Sequence, residues 1–338
     1  MKTYIIAEVG PNHNGSLSLA LKYVDLLSKS GADAVKFQLA KPHKVYSLDA
    51  FKAKYQKKND GKRSIIEMSK KNQLSYSDHI KISKYAKRKG IDYLCSAFDI
   101  QSLKFLVKTI GVKYIKIPSG EVFDINMLKY LSKIRKKIFL STGMLEDKDL
   151  KKVLKVLNTN FKKKIIILYC ISSYPAKPHQ INFSRLDDFK KMGYETGFSD
   201  HTVSQNASLA ALTLGARVIE KHVTINKKLK GPDHKFSLSL KDFNKFVLNL
   251  REMEKIISNK EKKKFDMNTQ EIIKVSRKSI VSSRLIKKNS KIVLSDLEYK
   301  RPGTGISPLE VKNVIGKIAR VNISENRVIK LNIIKKSN

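Results

Sequence analysis

Lysines buried in apolar runs are the first sign of chemistry in this chain. Lys36 sits in Val35-Lys36-Phe37-Gln38 and Lys116 in Tyr114-Ile115-Lys116-Ile117. A lysine in such a run is costly unless its charge is paired or opens into a cleft. With Ser96, Ser119, Ser141 and Ser199, each near the end of a β-rich run, they supply positive charge and hydroxyls around one centre. A phosphate dianion calls for that composition, although each serine alone reads equally well as a helix cap. His201 and His222 end consecutive β-rich runs. If those runs are neighbouring strands, the imidazoles converge, which suits Mn²⁺, Zn²⁺ or Fe²⁺. The alternative is two internally satisfied histidines, one of them capping the helix after Thr202. Glu8 and Glu121 can take a proton or orient water if burial raises their pKa, or can simply pair the lysines. Of the other histidines, His43, His79 and His179 read as surface residues, His13 falls in the first loop and His234 in a later one.

These residues need a scaffold that gathers strand ends. Short β-rich runs occur at 4–9, 34–38, 93–98, 114–119, 138–142, 165–170, 194–199 and 217–223. They are nearly continuously apolar, as buried parallel strands are. Amphipathic stretches of helical period separate them, among them 16–30, 77–89, 147–158 and 203–214, and a helix at 240–257 follows. Gly31, Gly90, Gly111, Gly193 and Gly215 stand where helices end before the next strand. Eight β-then-α units predict a (β/α)₈ TIM barrel rather than a doubly wound sheet, since GxGxxG is absent. In that fold the strands' C-terminal ends form the active face, and the long basic insertion 41–73 becomes a substrate-side loop. The expected division is a barrel over 1–258, a linker over 259–274 and a small β-rich domain over 275–338.

The chain has 338 residues, and a hydrophobic share of 41% supports a substantial core. Its net charge is +39, from lysines spread over the whole length, including the runs Lys162–Lys164 and Lys262–Lys264. With no nucleic-acid motif or aromatic-interleaved basic patch, this reads as a general lysine bias that attracts anionic substrates. A non-catalytic anion or nucleic-acid binder is the competing class. There is no CxxC, and Cys95 and Cys170 each lie in an apolar run, so small buried hydrophobes are expected. No long apolar run or signal segment is present, so a soluble cytoplasmic protein without membrane contact is expected.

The motifs together resemble the sialic acid synthase family, which includes N-acetylneuraminate, legionaminate and pseudaminate synthases. The resemblance rests on Ala7-Glu8-Val9-Gly10-Pro11-Asn12-His13-Asn14-Gly15, Lys116-Ile117-Pro118-Ser119-Gly120-Glu121, Gly197-Phe198-Ser199-Asp200-His201-Thr202 and Ile219-Glu220-Lys221-His222-Val223-Thr224. It continues through Gly231-Pro232-Asp233-His234 and Lys300-Arg301-Pro302-Gly303-Thr304-Gly305-Ile306-Ser307-Pro308. It implies a barrel followed by an antifreeze-like (SAF) domain, and a domain-swapped homodimer. It implies a transferase that condenses phosphoenolpyruvate with N-acetylmannosamine and water. The alternative acceptor is 2,4-diacetamido-2,4,6-trideoxymannose, giving N,N′-diacetyllegionaminate. It also implies a divalent metal at His201 and His222, Mn²⁺ first and Mg²⁺ or Co²⁺ as alternatives. Phosphoenolpyruvate would lie among Lys36, Ser96, Lys116, Ser119, Ser141 and Ser199. The sugar would meet Gln38, Tyr174, Asp233 and a partner's Arg301, and Glu8 matches an active-site carboxylate. The sequence departs from the family pattern at Ser96-Ala97-Phe98, which keeps a hydroxyl but loses a proline, at Tyr169-Cys170 and at Ser172.

Overall fold

The computed structural model describes residues 2–157, 164–258 and 265–336. Lys162, Lys163, the run Lys262–Lys264, the helix end expected at Asn158 and the first part of the expected linker lie outside them. The chain divides into two compact units, Met1–Asn259 and Lys260–Asn338.

In the first unit, parallel strands β1 (Tyr4–Gly10), β2 (Ala34–Leu39), β3 (Asp92–Ala97), β4 (Tyr114–Ile117), β5 (Lys137–Ser141), β6 (Ile165–Cys170), β7 (Glu195–Asp200) and β8 (Val218–Thr224) pair in chain order. β1 also pairs with β8, which closes the (β/α)₈ barrel. The helix-ending glycines Gly31, Gly90, Gly111, Gly193 and Gly215 all take positive φ, the conformation that lets the chain turn back into the next strand.

Strand alternation sorts the side chains. Ile5, Ala7, Val9, Val35, Phe37, Ile115, Ile117, Ile165 and Ile167 belong to the large core between strands and helices. Their neighbours point inward. Low in the barrel, Ile6, Ala34, Leu94, Phe139, Ile166, Leu168 and Val218 form a separate apolar cluster, with Tyr4 and Tyr114 packed against it. One step higher on the same strands stand Glu8, Lys36, Ser96, Lys116, Ser141, Ser199 and Glu220, all buried. The barrel interior is thus an apolar plug with an ionic layer above it.

The insertion expected as a loop is largely helical, with turns at Pro42–Val45, Lys54–Asp60 and Ile65–Lys71. Ser64 and Glu67 form a capping box on the last of these. Lys52 Nζ donates to the Gly61 carbonyl at 2.6 Å and pairs with Asp60 at 3.2 Å. Asn59 Nδ2 donates to the Pro232 carbonyl at 2.8 Å, tying the insertion to the loop after β8. The helix Leu240–Ser258 buries Phe243, Phe246, Val247 and Leu250 against the barrel. Among the described residues no helix is long and apolar enough to cross a membrane.

The second unit packs Ile280, Ile286, Ile292, Ile306, Val314, Ile323, Ile329 and Ile334 into its own core. Its antiparallel pairs are Ser279–Ser282 with Leu297–Lys300, and Ile318–Ala319 with Ile334–Lys335. Part of the expected linker is instead the helix Met267–Ser276, capped by Asp266.

His79 is a correction. Expected at the surface, it is buried, and its Nδ1 shares a 2.6 Å hydrogen bond with the Tyr93 hydroxyl. Its helix turns it onto the same face as Ile82 and Ala86, both buried. Burial pushes its pKa down to about 4. The unfolded chain, with a histidine near 6.5, therefore takes the proton first as pH falls. The stability associated with the neutral ring is complete above about pH 6.5 and is lost as pH drops towards about 4. Urea denaturation should show His79→Gln losing less stability than wild type between pH 7 and pH 5, by an amount on the order of 2 kcal/mol.

Candidate active site

A cavity of about 320 Å³ opens at the C-terminal ends of the strands. Register places its floor. Glu8 lies opposite Lys36 on one side and His222 on the other, Ser96 opposite Lys116, and Ser199 opposite Glu220. Lys36 Nζ is 3.0 Å from Glu8 Oε2 and 3.5 Å from Glu220 Oε2, and Lys116 Nζ is 3.7 Å from Glu220 Oε1. The ammonium groups donate to hydroxyls, Lys36 to Ser96 at 3.1 Å and Lys116 to Ser141 at 2.8 Å. Ser199 Oγ donates to Glu220 at 2.7 Å, and Gln38 donates to Glu8 at 2.9 Å.

Charge states follow from these contacts. Burial works to raise the Glu220 pKa, but Lys116 and Lys36 outweigh it and hold the carboxyl at about 2. Glu8 goes the other way: its burial and the nearby Glu220 charge raise it, against Lys36. Burial lowers Lys116, while for Lys36 the Glu220 and Glu8 carboxylates overcome burial and raise it.

The two imidazoles meet above this floor, with ring centroids 5.5 Å apart. His201 Nδ1 is 2.7 Å from the Ile171 carbonyl. A carbonyl only accepts, so Nδ1 carries the proton and Nε2 keeps a lone pair. Burial lowers His201 to about 4 and His222 well below the ordinary imidazole value, so both rings are neutral. Buried His222 Nδ1 has no hydrogen-bond partner among the described residues and lies 3.7 Å from Asp233 Oδ2. Two neutral imidazoles with a free lone pair and a backbone-anchored tautomer fit a divalent metal in donor chemistry. Among the described residues no group of three or more His, Cys, Asp or Glu side chains could hold an ion. The protein's share would therefore be these two nitrogens.

The NeuB family model matches residues 23–262 and the SAF domain model matches 277–334. The chain belongs to the NeuB family. It is 39% identical to the N,N′-diacetyllegionaminic acid synthase of Campylobacter jejuni, over 97% of this chain and 99% of that one. It is 36% identical to the synthase of the same name from Legionella pneumophila, over 96% and 92%. Among solved structures it resembles the N-acetylneuraminic acid (sialic acid) synthetase of Leptospira borgpetersenii in complex with citrate. That match has a TM-score of 0.69 at 28% identity and covers 80% of this chain and 90% of that one.

In this NeuB-family chain, Glu8, Lys36, Gln38, Ser96, Lys116, Ser119, Glu121, Ser141, Tyr174, Ser199, His201, His222 and Asp233 all line the one cavity. Arg301 belongs to the second unit, where it is exposed and its Nε donates to the Ser276 carbonyl at 2.9 Å. Burial, with Asp124 and Asp99 nearby, raises Glu121 to about 7, and burial with Glu8 raises Asp233 to about 7. Glu220 lies within the run 217–223, where the sequence alone assigns it no role. Alternation held the signal, because residues 220 and 222 share one face of β8. Tyr46, Tyr55 and Asn72 of the insertion also line the cavity, and no periodicity pointed to them. The Tyr55 ring packs at a tilt against Tyr174, with ring centroids 5.3 Å apart.

Several motif residues support the cavity without lining it. Asn12 Nδ2 donates to the Val223 carbonyl and to Ser237 Oγ, at 2.9 and 3.0 Å. His13 accepts from the Gly15 amide at 3.1 Å, and His234 shares a 2.7 Å bond with Thr224. Gly15 has φ +77°, and a Cβ there would collide with the Lys71 carbonyl. These contacts lock the β1 loop against the β8 loop and the insertion. Cys95 and Cys170 are buried and free, and burial raises the Cys95 thiol to about 12.

Asp200 and Lys221 sit between site residues in sequence but face outward. Lys221 Nζ is 2.8 Å from Asp200 and donates to the Thr202 and Ser204 carbonyls at 2.6 and 2.8 Å. It thereby pins the loop that carries His201. Lys221→Met would leave the buried Asp200 charge unpaired and should lower the unfolding free energy by about 3–5 kcal/mol, read from urea midpoints.

Proposed function

We propose that the protein is a nonulosonic-acid synthase, joining phosphoenolpyruvate to an uncharged N-acylated amino sugar. The observation that carries the reading is the pairing of a two-lysine, multi-hydroxyl floor with two neutral imidazoles in one cavity. Lys36 and Lys116, with Ser96, Ser119, Ser141 and Ser199, would hold the phosphate and carboxylate of phosphoenolpyruvate. A divalent metal, Mn²⁺ by preference, held by His201 and His222 would polarise the open-chain aldehyde oxygen of the sugar. C3 of phosphoenolpyruvate forms the new bond to the aldehyde carbon, and the aldehyde oxygen becomes a hydroxyl. Water adds at C2, oriented by Glu8, and phosphate departs with its bridging oxygen as the C2–O bond breaks. Glu121, which lines the cavity and is raised to about 7 by burial, suits proton exchange at that step. Because the floor fixes the anion before reaction, little reorientation is required.

The acceptor follows from the rest of the lining. Among the described residues, the lysines and arginines lining the cavity are Lys36 and Lys116, both on the floor and committed to phosphoenolpyruvate, so the barrel's own lining suits an uncharged acceptor. N-acetylmannosamine meets that requirement. A second acceptor, 2,4-diacetamido-2,4,6-trideoxymannose, is favoured by two particular observations. The relatives at 39% and 36% identity are both N,N′-diacetyllegionaminic acid synthases. Tyr46, Tyr55, Met68, Pro232 and Tyr174 also give the cavity an apolar wall, better matched to a deoxy carbon and a second acetamido methyl than to free hydroxyls.

We further propose a cytoplasmic homodimer in which the partner's small domain covers the barrel mouth and brings Arg301 to the sugar. Exposed Phe51, Phe123 and Met144 on the loops after β2, β4 and β5 support such a cover.

Purified protein with Mn²⁺ and phosphoenolpyruvate should release phosphate with either sugar, faster with the diacetamido sugar, and mass spectrometry should find the condensed acid. EDTA should abolish release, and absence of product with both sugars would refute the reading. His222→Ala should keep its melting temperature while losing both turnover and Mn²⁺ binding by titration calorimetry. Arg301→Ala should raise the sugar KM with little change in kcat.

A further inference from the structure

Glu220 stands where a substrate anion would be expected. Its carboxylate bridges the two lysines, with Oε2 3.5 Å from Lys36 Nζ and Oε1 3.7 Å from Lys116 Nζ. Yet it takes no hydrogen bond from either. Those go to Ser96 and Ser141, and Oε2 has no hydrogen-bond partner at all among the described residues. What holds the carboxylate in place is Ser199 Oγ, at 2.7 Å. Glu220 therefore cancels cationic charge without consuming the lysine N–H groups that a ligand needs.

Such an arrangement carries a cost. Four buried charged groups in one layer, Glu8, Lys36, Lys116 and Glu220, cost more in desolvation than a packed apolar layer would. The apolar plug directly beneath, with Ile6, Ala34 and Val218 on three of the same strands, shows that this barrel can fill its interior that way. A lysine pair opposed only by Glu8, which reaches Lys36 at 3.0 Å and makes no ion pair with Lys116, would hold a phosphate dianion tightly. For an enzyme that releases phosphate at every turnover, that would retard product departure.

We infer that Glu220 is a positioning residue: it holds the lysines as a spaced pair with free N–H groups, and it weakens the cradle so that inorganic phosphate can leave. The inference rests on the synthase reading and deepens it. Glu220 bonds no reacting atom in this account and acts through Lys36 and Lys116.

Removing the charge while keeping the shape tests this. Glu220→Gln retains an acceptor for Ser199 and should bind inorganic phosphate about tenfold more tightly or better, measured by the phosphate-dependent rise in melting temperature and by calorimetry. Phosphate should become a correspondingly stronger inhibitor against phosphoenolpyruvate, with KM and kcat both falling. A purely structural role would instead raise KM and leave phosphate affinity unchanged or weaker. Glu220→Asp, which keeps the charge but draws it back from the lysines, should be intermediate, and it serves as the test if the glutamine variant does not fold. Equal or weaker phosphate binding by the folded variant, or no binding by either protein, overturns the inference. Turnover by wild-type protein is scored separately, so loss of the synthase reading and loss of the Glu220 inference are told apart.

Discussion

The barrel can be a site because its interior changes character between one pair of residues and the next along the same strands. Ile6 is followed two positions on by Glu8, Ala34 by Lys36, Leu94 by Ser96, Phe139 by Ser141 and Val218 by Glu220. The lower member of each pair supplies burial that stabilises the closed sheet. The upper member forfeits it, and an ionic layer is tolerated there only because Glu8, Lys36, Glu220 and Lys116 neutralise one another within 3.0–3.7 Å. A network of that kind contributes little net stability compared with an apolar layer. Its presence is an argument for function at this end of the barrel and not at the other.

The same constraint shapes the surroundings. Imidazoles above a layer of buried charge must be held in one tautomer, and the Ile171 carbonyl does this for His201. The loop carrying His201 must also be fixed, and Lys221 does that from behind the strand through Asp200, Thr202 and Ser204. Asn12, His13 and His234 perform the corresponding task for the β1 and β8 loops. Residues adjacent in sequence thus divide their work by parity: positions 220 and 222 face the cavity while 221 braces it.

That parity explains what could be read from sequence. Apolar runs and helix-ending glycines are local signals, so the eight units and the closed barrel were legible. Lys36 and Lys116 were legible because a charge in an apolar strand contradicts its surroundings. Glu220 went without a role because its meaning lies in long-range pairing with residues on β2 and β4, and only the closed sheet brings those together. His79 is polar, yet its helical position decides its burial, since residues 79, 82 and 86 share a face. The insertion was the least legible segment. Its short helices have few apolar positions, and Tyr55 reaches the cavity only through ties such as that between Asn59 and Pro232. Nothing in its periodicity encodes such ties.

The large positive charge of the chain takes on a specific meaning beside this neutral floor. Against the two lysines the cavity lining sets Glu8, Glu121, Glu220 and Asp233, so the site itself is not a deep positive well. Attraction of an anionic substrate must then come mostly from the net charge of +39, a field that acts at long range and is screened by salt. Affinity within the cavity comes instead from oriented hydroxyl and ammonium donors at short range. Separating the two roles has a physical advantage. A diffuse field speeds arrival without discriminating among anions, while the compensated floor accepts only an anion that satisfies its donors. The floor can also let that anion go, because no unbalanced charge remains to hold it.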